Sequence, residues 1–218
     1  DLQGVNLQGA DLSNADLREA RLQGINLQGA NLLASNLQKA NLQKANLQET
    51  NLQKADLQKA NLKDVLLPGA NLQEANLQGQ DLHKLALEST KLRGANLNET
   101  NLTAAELRGL DLSQVTLQGA NLKKANLQEV NLQGANLNKT TSFLRSRATD
   151  LAGANLSGAN LQAIKLHQAD LHMTELAGVN LSQADLPEAN LQGVNLQGVD
   201  LSEANLQGVN MKETNLQG

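Results

Sequence analysis

Leucine recurs at every fifth position from Leu2 to Leu137, 28 times without a gap. The same spacing resumes at Leu151 and runs to Leu216, with Met211 the one departure among 14 positions. No straight element can use this pattern. On a helix, at about 100° per residue, five residues advance roughly 140°, so the leucines would wander over every face. On a strand the odd period would send alternate leucines to opposite faces. The chain must therefore turn once per repeat, so that every leucine points back to a common axis. Ala40-Asn41-Leu42-Gln43-Lys44 shows the unit: a small residue, a polar residue, the leucine at the centre, then a first and a second corner.

Glycine and proline locate the turn. All 17 glycines occupy the second corner, and both prolines, Pro68 and Pro187, occupy the first. A type II turn asks for a proline-like φ and then a positive φ, and Pro68-Gly69 supplies both. Where the second corner is Lys44 or Glu49, a positive φ is costly and a different turn is expected. The small and centre residues, two apart, share the inward side of a very short strand, and the polar residue between them points out. The inward partner of most leucines is Ala, Val or Thr because a narrow coil has no room for two large residues per side.

The Ala-(Asp/Asn)-Leu-x-x pattern resembles that of the pentapeptide-repeat family. Of the 42 residues that precede a centre, 34 are Asn or Asp, and the match covers nearly the whole chain outside residues 138–149. The resemblance implies an all-β fold, a right-handed quadrilateral parallel β-helix, with four five-residue repeats per coil. The repeats then make about eleven coils, and at about 4.8 Å per coil the solenoid is a rod roughly 50 Å long. Residues 1–139 are read as the regular β-helix, 140–149 as an interrupting loop or bulge, and 150–218 as the same solenoid continued. The interruption is needed because Leu137 and Leu151 are 14 residues apart, which is not a multiple of five.

Composition narrows the function. The net charge of −4, from 18 basic and 22 acidic residues, is too small to mark a strongly charged partner. There is no cysteine, hence no disulfide framework and no thiolate metal site. No apolar run approaches a membrane span, and no secretory signal pattern is visible. A soluble, cytoplasmic protein is expected, with a periplasmic or lumenal one also compatible, since Asp1 in place of Met suggests processing or an excerpt. His167 and His172 fall at successive first corners, on adjacent sides of a coil, and His83 is far away. Such histidines do not converge on a metal. Neither a Ser-His-acid set, nor a carboxylate pair, nor a phosphate-binding loop can be assembled. The expectation is a protein without enzymatic activity, cofactor or small-molecule substrate, and without direct contact to nucleic acid or membrane.

Informative residues are those that break the pattern. With residues 20 apart stacked, Leu66, Ala86 and Glu106 replace Asn in one polar column. Leu66 and Ala86 are expected to form an apolar spot beside Pro68. Leu85 and Leu110 are oversized for small positions. Gln80 is polar at an inward position, where burial without a partner is costly, and Thr100 is the partner stacked one coil away. In the interruption, Phe143 takes a centre position, or Phe143 or Leu144 packs a bulge on the rod, with Arg145 and Arg147 exposed. The candidate protein contacts are thus Leu66, Pro68, Ala86, Phe143, Leu144, Arg145 and Arg147.

Together these point to a structural or protein-binding scaffold whose partner is another protein. Bare coil ends also make end-to-end self-association an expected property. The resemblance implies one alternative, a DNA-mimicking inhibitor of DNA gyrase of the quinolone-resistance type. Against it, the acidic residues are interleaved with lysines, and the helical C-terminal segment through which those proteins dimerise has no counterpart. An ice-binding face would need paired threonine rows, and the outward residues here are Asn, Gln, Lys and Glu.

Overall fold

A computed structural model of the chain describes residues 1–138 and 148–217. Among them almost every repeat contributes one bridged residue rather than an extended strand, and that residue is the one before the centre. Asn31 pairs in parallel with Asn51, and Asn51 with Asn71. Successive partners are 20 residues apart, so four repeats separate stacked positions and the chain winds as a solenoid. The four stacks are called columns A to D here, with centres beginning at Leu2, Leu7, Leu12 and Leu17.

One repeat shows how the backbone is satisfied. Leu42 donates to the Asn61 carbonyl at 3.0 Å and Lys44 to the Lys63 carbonyl at 2.9 Å, both on the next coil. Ala45 closes the turn on the Leu42 carbonyl at 2.8 Å, and Asn46 donates back to the Ile25 carbonyl at 2.9 Å. That leaves the first-corner N–H of Gln43, which donates to Asn41 Oδ1 at 3.2 Å. The Asn or Asp before each centre therefore does more than face water. It caps the one amide the ladder omits. Its side chain also stacks: Asn51 Nδ2 donates to Asn31 Oδ1 at 2.9 Å, and Asn71 Nδ2 to Asn51 Oδ1 at 3.2 Å. An Asp accepts but cannot donate, so Asp11 receives the amide of Asn31.

The second corners correct one expectation. Every described second corner except Lys84 has a positive φ, glycine or not, with Lys44 at 60° and Glu49 at 57°. No change of turn type occurs at Lys44 or Glu49. The ladder decides this: the Glu49 N–H must meet the Pro68 carbonyl of the next coil, at 3.1 Å, and the left-handed conformation aims it there. The strain, about 1–2 kcal/mol for a residue with a side chain, is offset by that bond and the coil contact it completes. Gly69, at φ 75°, has a second reason to be glycine, since a Cβ would lie 3.3 Å from Glu49 Cγ.

Inside, the centres from Leu22 to Leu196 form one continuous buried core with the small residues. Ser35 is the exception in chemistry: it is buried between Ala15 and Ala55 of column D, and its Oγ has no hydrogen-bond partner. Ser35→Ala is expected to raise stability by about 1 kcal/mol, because it removes an unpaired buried hydroxyl. Thermal melting reads this directly, and a lower midpoint would mean the hydroxyl is satisfied.

Past the interruption the columns continue in register. Asn121 pairs with Asp150 and Asn126 with Asn155, 29 residues apart instead of 20, so nine residues are added without shifting any column. Leu137 closes column D and Leu151 resumes column A. Where the chain departs, the second-corner N–H of Gly119 takes Thr149 Oγ1 at 3.2 Å in place of a first-corner carbonyl, and the same hydroxyl donates to the Leu117 carbonyl at 2.9 Å. The candidate contacts Phe143, Leu144, Arg145 and Arg147 lie outside the described residues.

Candidate functional site: a fault between two coils

Around Ala86 the ladder is interrupted on both columns A and B. Leu66 pairs with Asn46 and Glu106 with Asn126, but Ala86 pairs with neither Leu66 nor Glu106. In column A, Asn61 pairs with Asn41 and Asp81 with Asn101, yet Asn61 and Asp81 do not pair with each other. The amides of Leu62, Asp64, Leu67 and Leu87 lack the bonds that Leu42, Lys44, Leu47 and Leu107 make in neighbouring coils. Lys84, the one described second corner without a positive φ, stands at this point. Between the coils lies a cleft of about 410 Å³, lined among others by Ala60, Leu62, Gln80, Asp81, Lys84 and Leu85.

Oversized inward residues account for the fault. Leu85 fills a small position and is only partly buried against the core. Gln80 fills another and is 6% exposed. Its Nε2 donates to the Leu57 carbonyl at 2.7 Å. The expected pairing of Gln80 with Thr100 is not made, since the Thr100 hydroxyl donates to the Leu97 carbonyl of its own repeat at 2.7 Å. That carbonyl lies on the preceding coil, in the same relative place where Thr50 finds the Leu27 carbonyl. Leu110, also oversized, is accommodated within the core.

Three sequence-predicted contacts meet at this fault. Leu66 is 48% exposed on a column otherwise dominated by Asn, Ala86 is exposed, and Pro68 is half-buried beside them. Why Leu66 is tolerated is now clear: the cap serves the N–H two residues on, and Pro68 has none. Thr116 and Lys165 are tolerated differently. Asn98 and Asn138, each at the first corner one coil before, lend Oδ1 to the N–H groups of Gln118 (2.8 Å) and His167 (2.9 Å). Ala86 has no such substitute, and among the described residues no side chain caps the Glu88 N–H.

Charge is arranged on either side of column B. The corner edge before it carries exposed Lys44, Lys63, Lys84, Lys123 and Lys124, with Asp64 among them. The edge after it carries exposed Glu49, Glu88 and Glu129, with Arg108 bonded to Glu129 at 2.8 Å. At the fault, His83 Nδ1 lies 2.7 Å from Asp81 Oδ1. Burial alone would raise the Asp81 carboxyl, but hydrogen bonds from His83 and Asn101 and the His83 charge outweigh it and hold the group below the usual carboxylate range. Its contribution is present above the ordinary carboxylate pKa and fades as pH falls through the lowered one.

His167 and His172 stand on different columns, 4.0 Å from Glu188 and 3.5 Å from Asp170 respectively. Among the described residues no three His, Asp or Glu side chains gather as metal ligands would. No described helix is long and apolar enough to cross a membrane. Two further interruptions escaped sequence reasoning. Lys91 and Asp111 of column C are not paired. Glu175 and Asn195 of column B are not paired, a cleft of about 380 Å³ lies beside them, and Met173 is 67% exposed at its edge. The available sign was Glu175 in a position that is usually Asn, together with Thr174, whose hydroxyl turns to its own Leu171 carbonyl at 2.8 Å.

Family models cover the chain almost end to end. A pentapeptide repeat region matches residues 1–77 and 61–141, and pentapeptide repeats in 8 copies match 147–183 and 180–218. The chain belongs to the pentapeptide-repeat family. No curated protein matches it. Among solved pentapeptide-repeat structures, HetL from the cyanobacterium Nostoc, described as involved in heterocyst differentiation regulation, is 32% identical over 98% of this chain and 90% of its own, with a TM-score of 0.40. A pentapeptide repeat protein of the Arabidopsis thaliana thylakoid lumen is 31% identical over 46% of this chain and 66% of its own, with a TM-score of 0.36. QnrB1, a plasmid-mediated fluoroquinolone resistance protein, is 16% identical over 95% of this chain and 90% of its own in a trypsin-treated form, with a TM-score of 0.43.

Proposed function

We propose that this pentapeptide-repeat protein is a non-enzymatic scaffold that binds another protein, and that it does so at the faulted face around Leu66, Pro68 and Ala86. One observation carries this: the exposed Leu66 sits where the ladder lacks its bonds and a cleft opens. A uniform ladder looks the same at every height, so a partner that must bind at one height needs a landmark. The finer fold belongs to the same proposal, and the family resemblance supports it: a right-handed winding, square in section, of about eleven coils, whose flat sides suit lateral docking. The segment bearing Phe143, Leu144, Arg145 and Arg147 is a second candidate contact, because it is the stretch whose sequence leaves the five-residue repeat. The DNA-mimic alternative is not favoured, since lysine-rich and glutamate-rich edges lie side by side on column B.

Leu66→Asn tests the proposal with little risk to folding, because it restores the residue most common in the column. Stability should change by less than about 1 kcal/mol, while proteins captured by the immobilised wild-type chain are lost from the variant. Equal capture by both would remove the faulted face from the account.

A further inference from the structure

The face of column B carries a pattern that a second copy of the chain can complete. On three coils, a lysine on one edge stands level with a glutamate on the other: Lys44 with Glu49, Lys84 with Glu88, and Lys123 and Lys124 with Glu129. All are exposed. Among the described residues Lys44, Lys63, Lys84, Glu49 and Glu88 form no ion pair within the chain. Leu66 and Ala86 lie between the edges, on the midline.

We propose that two copies associate side by side through this face, parallel, about a twofold axis that runs along the rod. The inference rests on the docking role of the faulted face. Rotation about such an axis exchanges the two edges and keeps every height. Lys44 then meets Glu49 of the partner subunit, Lys84 meets Glu88 of the partner subunit, and the Lys123-Lys124 pair meets Glu129 of the partner subunit, each twice by symmetry. A twofold axis across the rod would instead set lysine against lysine. Coils with one charged edge meet a neutral one: Lys63-Asp64 faces Pro68-Gly69, and Arg108 faces Thr103-Ala104. Leu66 and Ala86 cover their own counterparts near the axis, which removes the apolar spot from water. Like charges meet only on the midline, at Glu106 and, further along, Glu175.

The charged patch spans five coils, about 20 Å at the usual coil spacing. One coil side of that length falls short of the ~1,200 Å² that stable interfaces bury in total. The dimer is therefore concentration-dependent, and because its pairs are exposed it is weakened by salt. Sedimentation equilibrium of the full chain is expected to show dimers at low salt and high protein concentration, and monomers at high salt. Lys84→Glu should weaken the dimer about tenfold. Adding Glu88→Lys to it restores the pairing by exchanging the edges, and Glu106→Gln tightens it.

The chain has no cysteine, so a spin label on Gln197→Cys reports orientation cleanly. Parallel copies place the two labels at one height. Antiparallel copies centred on the patch separate them by roughly ten coils, about 48 Å. A monomer under every condition, failure of the exchanged pair to recover, or the long label distance overturns the proposal. The docking role is judged separately: if the chain is always monomeric but Leu66→Asn still loses a captured protein, self-association falls and docking stands.

Discussion

Leu42→Asp is expected to abolish cooperative unfolding of the chain at neutral pH. Leu42 is 0% exposed, in the middle of a leucine column with Leu22 and Leu62 on either side. Removing a buried leucine side chain costs about 2–5 kcal/mol through lost transfer energy and the space left behind. An unpaired carboxylate at that depth adds several kcal/mol more. The sum rivals the total stability of an ordinary domain, about 5–15 kcal/mol. In a solenoid each coil is held by its two neighbours, so the damage spreads from one coil to the next. Circular dichroism melting is the measurement, with Leu42→Ala as the comparison that isolates the packing loss. The buried carboxyl would have a raised pKa, so its penalty should ease below the ordinary carboxylate range and grow as pH rises. A sharp melt near the wild-type midpoint would mean the leucine columns do not form the core.

Thr149→Val carries the second large effect. The hydroxyl stands where the chain returns from the interruption, and among the described residues it is the only acceptor for the buried Gly119 N–H. Valine matches the shape and removes the acceptor, leaving that N–H unsatisfied at a cost of about 1–3 kcal/mol. Thr149→Ser keeps the oxygen and should recover most of the loss. Denaturant unfolding separates the two, and equal stability of the Val and Ser variants would show that the register across 138–148 is held by other contacts.

Much of the fold was legible because the repeat is strict. A five-residue period forbids straight elements, and glycine and proline name the corners. The misjudged corners at Lys44 and Glu49 failed for a definite reason. Local preference disfavours positive φ there, but the ladder bond to the next coil overrides it at every such position. The capping role of Asn41 and its equivalents was readable in principle, since the first-corner amide is the one N–H the ladder leaves over. It was seen only as outward polarity. Leu66 shows the same oversight from the other side, because Pro68 two residues later removes the need for a cap.

The fault itself was legible only in its ingredients. Gln80, Leu85 and Ala86 each look irregular, but whether coils yield or absorb them depends on how neighbouring residues pack. Leu110 stays buried and Leu85 only partly so, although Asp111, next to Leu110, is itself unpaired with Lys91. Gln80 found the Leu57 carbonyl, a partner 23 residues away that follows from the stacking and not from adjacency. Thr174 shows a finer limit. Thr50, in an equivalent small position, bonds across to the Leu27 carbonyl, whereas Thr174 bonds within its own repeat. The residue type does not distinguish these rotamers.

The central claim is that the ladder is open around Ala86, on both columns A and B, and that function gathers there. Residue-resolved amide hydrogen exchange of the native chain tests it most directly. The amides of Leu62, Asp64, Leu67 and Leu87 should exchange far faster than those of Leu42, Lys44, Leu47 and Leu107, which occupy the same places in closed coils. Uniform protection across all eight would contradict the account.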